Sequence, residues 1–268
     1  MTSSSKKILT DGLPNKGETY MKTGLTSVSF RKLSVDEVIA LAKKAGVDGI
    51  EWGSDIHVPP NDIEYVKEVA AKTKKAGLEV ISYGSYYYLG SGEDFAPYID
   101  AALALGTDTI RIWGGKKEKW ELSGVEYEAL VEEMHKIGTH AALADITVCL
   151  EYHGHSITAT AKDAAEFVRD VNLSSVRMYW QAIIGRSEED NLKDIDVVAP
   201  YITNIHVFNY VDGKQELLTY GDGPKNWAAY VDRIKKIPGE RAFMTEFSKG
   251  GLPESFINDA ELLNKLVK

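Results

Sequence analysis

Residues 43–53, KKAGVDGIEWG, hold the unit on which the fold turns: the basic end of a helix, a glycine, and within a few residues a β-rich run. Glycine just past the last helical turn takes a left-handed conformation that other side chains resist, so Gly46 reads as a helix stop. The same grammar recurs in KKAGLEV (residues 74–80) and LALGTDT (residues 103–109). Helix starts are equally legible: Ser34 is followed by Glu37 and Ser123 by Glu126, both at the spacing of a capping box. Working outward, eight β-rich runs alternate with helical patterns: TGLTSVSF, DGIEW, LEVISYG, DTIRIW, ITVCLE, VRMYWQ, ITNIHVF and AFMTEF. Several are continuous apolar stretches rather than strict alternations, as expected of parallel strands buried on both faces. Eight βα units in this length predict an α/β chain folded as a single (β/α)8 TIM barrel. An open doubly wound sheet is the alternative, but no G-x-G-x-x-G follows the first run.

No Pro/Gly/Ser-rich linker interrupts the alternation from Met21 onward, so residues 21–268 are expected to form one barrel domain. Residues 1–20 are polar and without a clear period, and read as an N-terminal tail or outer strap. The chain has 268 residues and a net charge of −9, a balance that argues against a surface built to neutralise phosphates and so against nucleic acid as a partner. Its one cysteine, Cys149, lies inside an apolar run and reads as a core filler; no intramolecular disulfide can form, which suits a reducing compartment. Neither a signal-peptide core nor a membrane-length apolar segment is visible, so a cytoplasmic protein without a membrane partner is expected. Barrels of this kind often associate as dimers or tetramers, which leaves a homo-oligomer open.

In a TIM barrel the chemistry sits at the carboxyl ends of the strands. Those ends carry Glu51 and Trp52, then Tyr83, then Arg111 and Trp113, then Glu151, Gln181, His206 and Glu246. Any one of these has an ordinary structural explanation. Their recurrence at one relative position in four consecutive βα units, as Glu, Gln, His and Glu, points to oxygen and nitrogen donors converging on a divalent cation.

The motifs GIEWG, LEYHGH, NIHVF and TEF, with TGLTSVSF at the start, resemble the xylose isomerase-like TIM barrels that include sugar phosphate isomerases/epimerases and ketose 3-epimerases. SYGSYY, RIWGG and YWQ are similar to one branch of that group. The resemblance runs from about Met21 to the C-terminus. It implies a metal set of Glu151, Gln181, His206 and Glu246, with Gln181 standing where the family usually has Asp. An amide oxygen still ligates hard cations but supplies no charge, so weaker metal binding and a more strongly polarising ion are expected. Mn²⁺ or Mg²⁺ is the expected ion, with Zn²⁺ a further fit through His206.

The resemblance also implies a mechanism in which Glu151 and Glu246 act as acid and base through a cis-enediolate, giving an isomerase or epimerase of a keto- or aldo-sugar. Expulsion of a β-hydroxyl from the same enediolate would make a lyase or dehydratase of an oxidised sugar or cyclitol. A metal-poor sugar-binding protein is a third reading, since Gln181 weakens the charge of the site. His153 is the candidate for a proton shuttle or hydroxyl contact. His57, Tyr83, Arg111, Trp113 and Lys249 are candidate substrate contacts, the aromatics because their faces suit sugar C–H surfaces. Whether the sugar is phosphorylated stays open, because the glycine pairs at 114–115 and 250–251 lack phosphate-loop spacing. A zinc AP endonuclease would need a basic groove and more metal ligands than six histidines and this charge supply.

Overall fold

The computed structural model describes residues 21–268; the expected tail or strap over residues 1–20 lies outside the described residues. Eight parallel strands close into a barrel: β1 (Met21–Thr26), β2 (Gly49–Gly53), β3 (Glu79–Tyr88), β4 (Thr109–Trp113), β5 (Thr147–Leu150), β6 (Val176–Trp180), β7 (Ile202–Val207) and β10 (Arg241–Thr245). β10 pairs with β1 and seals the ring. Outside it lie α1 (Val35–Ala45), α2 (Ile63–Lys75), α3 (Ala96–Leu105), α4 (Gly124–Ala142), α5 (Ala161–Val171), α6 (Glu188–Val198), α7 (Gly223–Ile234) and α8 (Pro253–Val267). This is the (β/α)8 barrel that the eight runs predict. None of the described helices is long and apolar enough to cross a membrane.

Local chemistry sets the element ends. Both capping boxes form, at Ser34 with Glu37 and at Ser123 with Glu126, and each satisfies backbone donors that the first helical turn leaves open. Gly46 ends α1 at φ 68°, where its N–H reaches back to the carbonyls of Ala42 and Lys43. The first run divides: β1 stops at Thr26, and Ser27–Phe30 wind into a 3₁₀ turn that puts Ser27 Oγ in reach of the Gly53 N–H at 2.8 Å. A short antiparallel hairpin, β8 (Asn209–Val211) with β9 (Lys214–Glu216), stands outside the barrel in the connection to α7.

Alternation along each strand divides the interior from the helix layer. Trp52 and Trp180 point out: Trp52 Nε1 donates to Thr73 of α2 at 3.2 Å, and Trp180 packs edge-on against Trp227 and Tyr230 of α7. Cys149, Tyr179, Ala242 and Met244 point in and pack with Ile81 as a small interior cluster apart from the main core. Burial pushes the Cys149 thiol up to about 12, so it is an inert filler at neutral pH. One residue pair further along the same strands, the interior becomes charged.

Candidate active site in the barrel mouth

Above the Cys149, Tyr179 and Met244 layer, the strands present Glu51, Arg111, Glu151, Gln181, His206 and Glu246, all buried. Glu151, His206 and Glu246 each offer a ligand atom within 4.8 Å of the others. His206 Nδ1 lies 3.3 Å from Glu246 Oε2 and 3.7 Å from Glu151 Oε1, while its Nε2 lies 3.3 Å from Glu51 Oε1. Neither ring nitrogen is in line for a hydrogen bond, and the buried Gln181 Oε1 also has no hydrogen-bond partner. Tyr179 closes the floor, its ring edge-on to the His206 ring at 5.2 Å. Buried polar atoms are normally paired, so this concentration of unpartnered atoms singles the mouth out as the candidate site.

The electrostatics point the same way. Burial disfavours charge on Glu51, but Arg111 and His206 outweigh it and bring that carboxyl down to about 2. Glu151 is likewise lowered against its burial, by Arg111 first and then His206. Burial alone would lower His206, yet Glu246, Glu51 and Glu151 together hold it well above the usual imidazole range. Three carboxyl groups, one guanidinium and one imidazole thus share this buried layer.

Arg111 is the hub of this layer. Its Nη1 donates to Glu151 Oε2 at 2.7 Å and its Nε to Glu51 Oε1 at 3.4 Å. Ser82 Oγ donates to the other Glu51 oxygen at 2.8 Å. Room for this crossing exists because residue 84 is glycine: a Cβ there would stand 2.8 Å from Glu51 Oε1 and 3.0 Å from Arg111 Nη2. Glu51 was visible in the sequence as a polar strand end, but nothing there joined it to the Glu, Gln, His and Glu set.

The remaining candidates divide. Trp113 and His153 meet at the rim, with ring centroids 4.6 Å apart, and Tyr88 stacks on Trp113 at 5.5 Å. His153 Nδ1 faces the Gly154 carbonyl at 2.7 Å. Lys249 is drawn to the hairpin, where it donates to Glu216 at 2.5 Å. His57 and Tyr83 are not brought to the mouth. His57 bonds Ser27 Oγ at 3.1 Å and the Leu33 carbonyl at 3.0 Å, and the Tyr83 hydroxyl donates to the Val58 carbonyl at 2.7 Å. The reason is parity: Tyr83 pairs with outward Trp52, whereas Ser82 pairs with inward Glu51.

The profile of the xylose isomerase-like TIM barrel family matches residues 39–266. No curated protein matches the chain in sequence. Among solved structures, the probable 3-DHS dehydratase AsbF of Bacillus anthracis superimposes with TM-score 0.74 at 17% identity, over 92% of this chain and 98% of that one. D-psicose 3-epimerase of Clostridium cellulolyticum H10, with D-tagatose, gives 0.67 at 16% identity over 92% and 96%. A xylose isomerase-like barrel protein of Mycobacterium smegmatis in complex with magnesium gives 0.70 at 15% identity over 92% and 96%. At these identities the likeness speaks for the fold alone.

Proposed function

Because the chain belongs to the xylose isomerase-like TIM barrel family, we propose that it is a divalent-metal-dependent sugar isomerase or epimerase working from the barrel mouth. The observation that carries this reading is the convergence of Glu151, His206 and Glu246, all buried, on one space; Gln181, at the end of the strand between those of Glu151 and His206, is also buried, with no partner for its side-chain oxygen. These donors fit a divalent cation: hard oxygens and one imidazole nitrogen. Glu151, Gln181, His206 and Glu246 would hold it, and the oxygen-rich set suits Mn²⁺ or Mg²⁺, with Zn²⁺ a further fit through His206. A bound cation supplies Lewis-acid stabilisation of the oxyanion that develops when a proton leaves the carbon next to a sugar carbonyl.

The chain's own residues move the proton. One of Glu151 and Glu246 removes it, leaving an enediolate, and the other, in its protonated form, delivers a proton of its own, to the opposite face for epimerisation or to the neighbouring carbon for isomerisation. Arg111 keeps Glu151 ionised and fixed in direction, as a base must be. Trp113 and His153 offer an aromatic wall and a hydroxyl contact at the rim. A neutral sugar suits this mouth better than an oxidised, acidic one, because Arg111 is already committed to two carboxylates. His57 and Tyr83 serve as scaffold, and Lys249 steadies the rim through Glu216.

Incubation of the Mn²⁺-loaded protein with a panel of keto-sugars in deuterated water tests the reading without knowledge of the product. Deuterium should enter next to the carbonyl of at least one sugar, stop on chelation and resume when Mn²⁺ is restored. Absence of exchange into every sugar would count against the enediolate, and full exchange in both Glu151→Gln and Glu246→Gln would remove the two-glutamate mechanism.

A further inference from the structure

His206 is flanked on both sides, and the two sides differ. Its Nδ1 faces Glu246 and Glu151, the carboxylates that share the candidate cation site, while its Nε2 faces Glu51 alone at 3.3 Å. Glu51 offers no atom to the three-residue group that could hold a cation. It is nevertheless held at both oxygens: Ser82 donates to one, Arg111 to the other, and the absent side chain at Gly84 leaves space for the Arg111 contact. A buried carboxylate so anchored, with an oxygen 3.3 Å from the rear nitrogen of a histidine, has one service to offer. It can accept a hydrogen bond from that nitrogen's N–H and so leave the other nitrogen's lone pair for an electrophile. Imidazoles that ligate metals commonly direct their second N–H to such an acceptor, which fixes tautomer and ring direction.

We propose that Glu51 is a positioning residue that accepts the Nε2–H of His206, so that Nδ1 is the nitrogen presented to the divalent cation. Arg111 completes the device. By contacting both Glu51 and Glu151 it links the acid behind the histidine to the acid beside the candidate cation site. This rests on the metal-dependent reading above, and places in it a residue that touches neither cation nor substrate.

Two measurements test it, and neither is a rate. In the Zn²⁺-loaded wild-type protein with ¹⁵N-labelled histidine, long-range ¹⁵N–¹H spectra should show His206 protonated at Nε2 and metal-shifted at Nδ1; a metal-shifted Nε2 with a protonated Nδ1 would overturn the proposal. Mn²⁺ titration followed by calorimetry and by electron paramagnetic resonance should show Glu51→Ala weakened by about 10–100-fold. Glu51→Gln, which keeps an acceptor oxygen, should recover most of that loss. Wild-type affinity in Glu51→Ala would overturn the role of Glu51 while leaving the metal reading intact. Failure of the wild type to bind either ion would overturn both. The spectra of the unmutated protein keep the proposal exposed should loss of Glu51 leave Arg111 too poorly paired for the variant to fold.

Discussion

The molecule buries two histidines near strand ends and treats them in opposite ways. His57, in the connection between β2 and α2, spends both nitrogens on Ser27 and the Leu33 carbonyl, packs edge-on against Trp52, and is pushed by burial below the ordinary imidazole range. His206, at the end of β7, is fully buried with neither nitrogen in a hydrogen bond, and burial is overridden by three carboxylates that raise it. Residue type and burial are shared; the hydrogen bonding and the charge around the ring differ. A satisfied buried histidine holds structure together, whereas an unsatisfied one among carboxylates is the better candidate for a ligand-binding role.

The largest expected effect sharpens that contrast on the charged side. Glu151→Gln and Glu246→Gln should each reduce turnover, or solvent exchange, by about 10²–10⁴-fold, the range lost with a positioned acid or base. His57→Ala should do the reverse: a loss of stability of about 1–3 kcal/mol, seen as a lower melting temperature, from losing the hydrogen bonds to Ser27 and to the Leu33 carbonyl. Its Mn²⁺ affinity should stay within about twofold of wild type; a loss comparable to that of His206→Ala would erase the distinction between the two histidines. Gln181→Asp adds a carboxylate to the cation's surroundings and should tighten Mn²⁺ binding by roughly tenfold, about 1.4 kcal/mol. Unchanged affinity by calorimetry would mean that Gln181 does not touch the ion.

The smallest effect concerns a carboxyl far from the chemistry. Asp259 of α8 accepts the Leu218 N–H at 2.7 Å, and burial raises its pKa from 3.8 to about 6. Because the folded state then binds the proton more tightly than the unfolded chain, the contribution of Asp259 to stability is full below pH 3.8 and is lost as pH rises through 6. Asp259→Asn, which keeps an acceptor for Leu218, should therefore raise the free energy of unfolding more at pH 8 than at pH 5, by on the order of 1 kcal/mol, read as a larger rise in melting temperature at pH 8. An equal effect at both pH values would contradict the raised carboxyl.

Much of the barrel was legible because its signals are local. Gly46 must be left-handed, Ser34 and Glu37 close on each other across one helical turn, and strands buried on both faces read as apolar runs. The β8–β9 hairpin also had its signal, Asp212–Gly213, whose positive φ angles are those of a tight hairpin turn, but the short flanking strands carry too little alternation to stand out. In the mouth, Glu151, Gln181, His206 and Glu246 stand out because one position recurs in successive units. Glu51 does not, because its place depends on a register shift between β2 and β3 after Ile50 and on the absent side chain of Gly84. Likewise, no local pattern tells which face of β3 carries Tyr83, and the inward place goes to its neighbour Ser82. Non-local register, rather than residue type, is what the sequence hides.

The central claim is that the four strand-end donors share one divalent ion. Crystals soaked in Mn²⁺ and measured for anomalous scattering test it directly. A single peak should stand within about 2.0–2.6 Å of Glu151, Gln181, His206 and Glu246. Its nitrogen contact should be Nδ1 of His206. No peak in the barrel mouth under saturating Mn²⁺, or a peak held elsewhere with these four residues unengaged, would contradict the account.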